Sequence, residues 1–168
     1  NPLLLRRALD HGVRVVVAHC ASLGEGIHSP QPKSSASTSS NFLLFMDLMR
    51  DPDYEHLLYG DLSAITQINR APETVKTLIL AEDIHHRLLN GSDYPLTGIL
   101  PLFSRAQILR LGLMDEQTAA IVFEVQKYNP LQFDLVLKRN LVWQGHHFPR
   151  SVFETAGFFQ GKSPSAAS

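Results

Sequence analysis

Two side chains that can carry out acid–base or metal chemistry follow predicted strands of this 168-residue chain. His19 comes directly after the apolar, β-branched residues 13–18, and Asp93 comes shortly after residues 88–91. Functional groups of parallel α/β folds collect at the carboxyl ends of strands, so both side chains should face the same rim. An imidazole and a carboxylate on one rim predict a catalytic or metal-binding site.

Each of the two residues also has a structural explanation when it is taken alone. A histidine at a strand end is often simply hydrogen-bonded in place, and Ser92-Asp93-Tyr94-Pro95 consists of turn-forming residues. Their occurrence after two different strands favours the site. The adjacent Cys20 is expected to be a small buried residue rather than a nucleophile.

Further candidates follow the middle predicted strand, residues 57–62. Asp61, Ser63 and Thr66 should line the same rim, and Thr66 and Arg70 are candidates for substrate binding. Arg70 is either an exposed loop charge or a clamp for a substrate carboxylate, because a guanidinium can bind a carboxylate with two parallel hydrogen bonds.

The remaining histidines include two adjacent pairs, His85-His86 and His146-His147. Neighbouring side chains point in different directions, so such a pair chelates one metal ion poorly. No HxxxH or HExxH spacing is present. Both pairs are therefore expected on the surface.

The apolar periodicity predicts an alternation of helices and strands, which indicates an α/β fold with parallel strands. Asn1 should cap a first helix that Gly12 ends, and the strand over residues 13–18 should be buried on both faces. Asn41 should cap the second helix. We predict one domain over residues 1–161, with a mobile loop over residues 25–40 and a disordered tail over residues 162–168. The further helices are predicted over residues 42–49, 72–80, 104–111, 115–127 and 130–139.

Composition excludes several classes of protein. The net charge of −1 gives no indication of a nucleic-acid or anionic-membrane partner. No apolar run approaches the roughly 20 residues of a membrane helix. The single cysteine fits a reducing compartment, so we expect a cytoplasmic protein. The chain opens on Asn-Pro without Met, and we expect it to be part of a longer protein.

Two segments resemble a known family. Val15-Val16-Val17-Ala18-His19-Cys20-Ala21-Ser22-Leu23-Gly24 resembles the sixth-strand histidine motif of the amidohydrolase superfamily, and Leu89-Asn90-Gly91-Ser92-Asp93-Tyr94-Pro95 resembles its eighth-strand motif. The resemblance is closest to the branch of aminocarboxymuconate-semialdehyde decarboxylase-like proteins. It implies the C-terminal part of a TIM-type (β/α)8 barrel, about strands 6 to 8 with the following helices. Three such strands would leave two open edges, which favour association, including with a second copy.

The resemblance also implies an activity, the metal-dependent hydrolysis of a small-molecule substrate. Asp93 would be a metal ligand and proton shuttle. His19 would be a catalytic or metal-adjacent residue, and a possible metal ligand, that orients the bound water or polarises the substrate. The metal would be a divalent ion, most simply Zn²⁺. Family members also use a first-strand His-x-His pair, and this sequence contains no His-x-His, so the remaining ligands are absent from this chain.

Three alternatives stay open at this stage. Some relatives decarboxylate rather than hydrolyse. The chain could instead be a non-catalytic remnant that serves as a binding or scaffold domain. An unrelated doubly wound domain would need a glycine-rich phosphate loop, and no GxGxxG or GxxxxGK[ST] motif is present.

Overall fold

A sheet of three short parallel strands lies at the centre of the computed structural model, which describes residues 1–27 and 38–160. Strand β4 (Leu58–Asp61) lies between β1 (Val15–Val17) and β5 (Leu88–Leu89). Val17 pairs with Gly60, and Gly60 pairs with Leu88. The predicted parallel strands are confirmed in order and direction, and their carboxyl ends share one edge.

Seven α-helices surround or follow this sheet in the described residues. They are α1 (Arg6–Leu9), α2 (Asn41–Met49), α3 (Pro72–Leu80), α4 (Arg105–Arg110), α5 (Glu116–Val125), α6 (Pro130–Arg139) and α7 (Ala156–Phe159). The predicted helices are therefore confirmed, with ends that differ by a few residues. None of the described helices is long and apolar enough to cross a membrane.

Of the caps predicted at Asn1 and Asn41, the first is confirmed and the second is shifted by one residue. The Asn1 side chain accepts a hydrogen bond from the Leu3 backbone at 3.0 Å, as predicted. Ser40, rather than Asn41, caps α2, because its hydroxyl accepts a hydrogen bond from the Leu43 amide at 3.2 Å. Serine and asparagine are nearly equivalent caps, so sequence does not choose between these adjacent positions.

The first strand is shorter and more exposed than predicted. β1 spans three residues, and Val16 on its outer face is 42% exposed. The prediction that this strand is buried on both faces is wrong for the described part of the chain. Its unbroken valine run reflects an apolar surface that no described segment covers.

The predicted loop over residues 25–40 is partly wrong. Its two ends form an antiparallel pair, β2 (Glu25–Ile27) with β3 (Thr38–Ser40). Residues 28–37 and the predicted tail over residues 162–168 lie outside the described residues.

The core joins α2 and the later helices to the sheet. Phe42, Phe45, Met46 and Met49 of α2 are buried, as their spacing predicts. Gly60 of β4 allows the close approach, because a Cβ there would lie 2.9 Å from both the Cys20 sulfur and the Phe45 ring. Side chains of α3 and α6 extend this core: Val75, Leu78, Ile79, Phe133 and Leu137 are all buried.

Candidate functional site

The structure brings His19 and Asp93 together at the carboxyl ends of two strands. His19 Nε2 lies 4.0 Å from Asp93 Oδ2. The two side chains are 25% and 28% exposed, so a small molecule can reach both. His19 follows β1 and Asp93 follows β5, and β4 lies between these strands. The predicted shared rim is therefore present.

Unusual backbone conformations aim these side chains. His19, Cys20 and Ala21 have φ angles of 56°, 48° and 51°, and Asp93 has a φ of 58°. The left-handed region costs an L-residue roughly 1–2 kcal/mol. Non-glycine residues held in such conformations cluster at functional sites. Here the left-handed turns direct the His19 ring and the Asp93 carboxylate towards each other.

Asp61 and Ser63 hold the His19 ring from the middle strand. The Ser63 hydroxyl donates a hydrogen bond to Asp61 Oδ2 and lies 2.7 Å from His19 Nδ1. Asp61 also accepts from the Ser63 amide at 2.9 Å and from the His19 amide at 3.3 Å. One carboxylate thus fixes both the backbone and, through a hydroxyl, the imidazole of His19.

This arrangement determines which ring nitrogen of His19 carries a proton. The Ser63 carbonyl oxygen lies 3.1 Å from Nδ1 and can only accept a hydrogen bond. Nδ1 must therefore be the protonated nitrogen of the neutral ring. Nε2 then presents a lone pair towards the open rim, or a second N–H when the ring is an imidazolium.

Cys20 lies beneath the rim and takes no part in it. Its side chain is fully buried, and its sulfur donates to the Asp61 carbonyl at 3.3 Å. Burial, and then the charge of Asp61, raise the pKa of the Cys20 thiol well above its usual value. The thiol is therefore neutral and structural, as its sequence context predicts.

Thr66 and Arg70 are the predicted substrate-binding residues, and no described hydrogen bond links either of them to His19 or Asp93. Thr66 is buried, and its hydroxyl has no hydrogen-bond partner among the described residues. The Arg70 Nε is buried and likewise lacks a partner in residues 1–27 and 38–160. Both follow β4 in the sequence, and the carboxylate-clamp role of Arg70 stays a prediction.

The paired histidines are only partly on the surface. His146 and His147 are exposed, and His146 Nδ1 lies 2.7 Å from Glu82. His85 is buried, which corrects the prediction. Its Nε2 donates to the Leu78 carbonyl at 2.9 Å, and its ring packs against Phe148.

A metal ion is not accommodated by this rim alone. The described residues contain no group of three or more His, Cys, Asp or Glu side chains that could hold one. His19 Nε2 and Asp93 Oδ2 offer two donors, whereas catalytic zinc sites use three protein ligands. The described residues therefore do not fit a complete zinc site.

A separate cavity of about 660 Å³ is lined by residues of the C-terminal part of the chain. It lies between Asp115 at the start of α5 and Arg139 at the end of α6, and no rim residue lines it. We place the candidate site at the strand ends, because the acid–base groups meet there.

Comparison with known proteins finds no matching family model, no matching curated protein and no matching solved structure. The amidohydrolase resemblance therefore stays a prediction from two motifs.

Proposed function

We propose that this chain supplies the acid–base pair of a hydrolase of the amidohydrolase type that acts on a carbonyl-containing small molecule. The observation that carries the proposal is the 4.0 Å approach of His19 Nε2 and Asp93 Oδ2 across an accessible rim. A water molecule on the open side of the pair would lie within reach of both groups.

In this proposal the Asp93 carboxylate is the general base. It takes a proton from water as the water oxygen bonds to the substrate carbonyl carbon, and the carbonyl electron pair moves onto its oxygen. His19, protonated on both nitrogens, donates from Nε2 to that oxygen. The tetrahedral intermediate then collapses, and Asp93 returns the proton to the leaving group. The products are a carboxylic acid and the protonated leaving group.

The hydrogen bonds around His19 support this role. Ser63 fixes Nδ1, so only Nε2 is available at the rim. Asp61 Oδ2 lies 3.8 Å from the same Nδ1, so the ring is held at the nitrogen that does not face Asp93. An imidazole that was merely packed would not need its second nitrogen presented beside an exposed carboxylate.

The proposed parent fold is a TIM-type barrel with this chain as its strands 6 to 8. Three adjacent parallel strands in sequence order support it, as does the exposed Val16 on the outer strand. The ligands that complete a divalent-metal site, most simply Zn²⁺, would come from outside the described residues. A cytoplasmic location is part of the proposal, supported by the single, unpaired cysteine.

A hydrolysis assay on the full chain tests the proposal. Panels of carboxylic esters, amides and lactones are screened with a pH indicator, with and without added Zn²⁺. We compare wild type with Asp93→Asn and use Asp53→Asn, the same change at an exposed position, as the matched control. We expect Asp93→Asn to lower the rate by about 10²–10⁴-fold, the usual contribution of a general base.

Two outcomes would overturn the proposal. Equal rates for wild type and Asp93→Asn would remove the assignment of Asp93. No hydrolysis of any panel member, with or without Zn²⁺, would instead favour a non-catalytic binding domain.

A further inference from the structure

A buried lysine lies directly behind the segment that carries Asp93. Lys138 of α6 has no exposed side-chain surface. Its ammonium group donates to the Gly91 carbonyl at 2.7 Å, to Asp134 Oδ2 at 2.7 Å and to Asn90 Oδ1 at 3.4 Å. All three of its N–H donors therefore have acceptors, two of which belong to the residues that lead to Asp93.

The cost of burial indicates that this lysine has a specific role. Taking an ammonium ion out of water is unfavourable unless it is paired and hydrogen-bonded. Burial lowers the pKa of Lys138, and the nearby charge of Asp134 opposes that change. Burial likewise raises the pKa of Asp134 against the charge of Lys138. An apolar pair of similar volume would fill the same space without this cost.

Nucleophilic or Schiff-base chemistry does not explain the group. Lys138 Nζ is shielded from solvent, and its three donors are already engaged. A substrate at the rim would reach the exposed Asp93 first. The ammonium group instead contacts the Gly91 carbonyl and the Asn90 side chain, which belong to the loop that leads to Asp93.

Lys138 holds the Asn90–Gly91 segment on one side, and residues from other parts of the chain hold it on the other sides. The Asn90 amide donates to the Val152 carbonyl at 3.0 Å. Gly91 lies against Asp61, where an added Cβ would come within 2.5 Å of Oδ1. With Lys138 on Gly91 and Asn90, the two residues before Ser92 are held from three directions. Asp93 can then keep its left-handed conformation.

We propose that Lys138, paired with Asp134, is a positioning residue that holds the Asn90–Gly91 segment and thereby sets the place of Asp93 opposite His19. The inference takes the role of Asp93 from the proposed function. It goes beyond that function because it assigns a task to a helix residue that does not touch the rim.

The test compares loss of the lysine alone with loss of the whole ion pair, and only the second change leaves the net charge unaltered. The Lys138→Met variant leaves Asp134 buried and unpaired. The double variant Asp134→Leu/Lys138→Met fills the space with apolar side chains and removes only the ammonium contacts. Lys127→Met is the matched control, because exposed Lys127 donates to Glu124 at 2.6 Å. Urea midpoints, amide shifts and amide hydrogen exchange over residues 90–93, and hydrolysis rates are measured for each.

We expect the double variant to recover the stability that Lys138→Met loses. Its amides over residues 90–93 should nevertheless shift and exchange at least about tenfold faster, and its hydrolysis rate should fall by about 10²-fold, the usual cost of a misplaced catalytic group. The control should match wild type in every measurement. A double variant with wild-type loop amides would overturn the inference, because Lys138 would then only fill the core.

A measurement on wild type keeps the inference testable if the variants do not fold. The Lys138 ammonium protons should be protected from exchange with water and show nuclear Overhauser contacts to Gly91. Their absence would also overturn the inference. The loop measurements do not depend on turnover, so an inactive wild type, or an active Asp93→Asn variant, would remove the proposed function and leave the positioning result standing.

Discussion

His19 Nε2 lies 4.0 Å from Asp93 Oδ2, and the backbone of both residues is left-handed. The two residues are 74 positions apart in the printed sequence and follow non-adjacent strands of the sheet. Local turn preferences explain either conformation alone. They do not explain why two strained turns converge on one accessible gap, which is what an acid–base site requires.

The hydroxyl of Ser63 is predicted to contribute to activity through His19. Ser63→Ala removes the link between Asp61 and Nδ1 but keeps the carbonyl that fixes the protonated nitrogen. The hydroxyl makes two hydrogen bonds, to Asp61 and to His19 Nδ1, and loss of the one that holds the ring, worth about 1 kcal/mol, should lower the hydrolysis rate about fivefold. Ser151→Ala, at an exposed position, is the control. If Ser63→Ala and the control have equal rates, the hydrogen-bonded link from Asp61 through Ser63 to His19 does not contribute to activity.

The tautomer of His19 can be observed directly. Long-range ¹H–¹⁵N spectra should show Nδ1 as the protonated nitrogen of the neutral ring in wild type and in Ser63→Ala, because the backbone carbonyl accepts from it in both. A neutral ring protonated at Nε2 would contradict the arrangement described here.

Gly91 is predicted to tolerate no side chain. A Cβ at this position would lie 2.5 Å from Asp61 Oδ1, so Gly91→Ala must displace either the loop or the carboxylate. We expect a loss of about 1–3 kcal/mol in the free energy of unfolding. Gly157→Ala is the matched control, because nothing lies within 4 Å of its added Cβ. Equal urea midpoints for the two variants would refute the close contact.

The thiol of Cys20 should be unreactive in the folded protein. Its raised pKa, caused first by burial and then by Asp61, keeps it protonated at pH 8, and no surface of it is exposed. Ellman's reagent should therefore detect no thiol in the native chain and one thiol per chain in urea. Rapid reaction of the Cys20 thiol without denaturant would show that the end of β1 is accessible to solvent.

The cap of α5 predicts a pH-dependent contribution to stability. Hydrogen bonds from Thr118 lower the pKa of Asp115, whose carboxylate accepts from the Thr118 amide at 2.8 Å. A lowered folded-state pKa means that the stabilisation is present above the unfolded value, about 3.9, and is lost as the pH falls through the folded value.

Urea midpoints of wild type and Asp115→Asn measure this contribution. Asparagine keeps the cap and removes the charge, so wild type should be more stable at pH 7, and the difference should vanish as the pH falls below about 4. A constant difference across this range would show that the charge of Asp115 has no effect on the helix.

Local signals in the sequence predict much of the fold. The predicted helix over residues 72–80 has the same bounds as α3, and the Asn129-Pro130 start of α6 is also correct. Capping residues, proline and apolar spacing act within one or two turns, so a single sequence carries them. The two rim residues were found because strand ends in a parallel sheet must meet.

Features that depend on tertiary contacts were missed. Asp134 and Lys138 have the i, i+4 spacing of an ordinary surface pair, and nothing local distinguishes a buried one. His85 was expected outside, because its contact with Leu78 depends on how a 3₁₀ turn folds back on α3. The exposed face of β1 could not be foreseen, since a valine run predicts burial by whatever neighbour is present.

A double-mutant cycle on hydrolysis measures whether His19 and Asp93 act as one unit. Rates are measured for wild type, His19→Gln, Asp93→Asn and the double variant on the best substrate of the panel. If the pair acts as one unit, each single change should lower the rate at least about 10²-fold, and the double variant should be no slower than the slower single variant. Losses that multiply, or a single variant with the wild-type rate, would contradict the account.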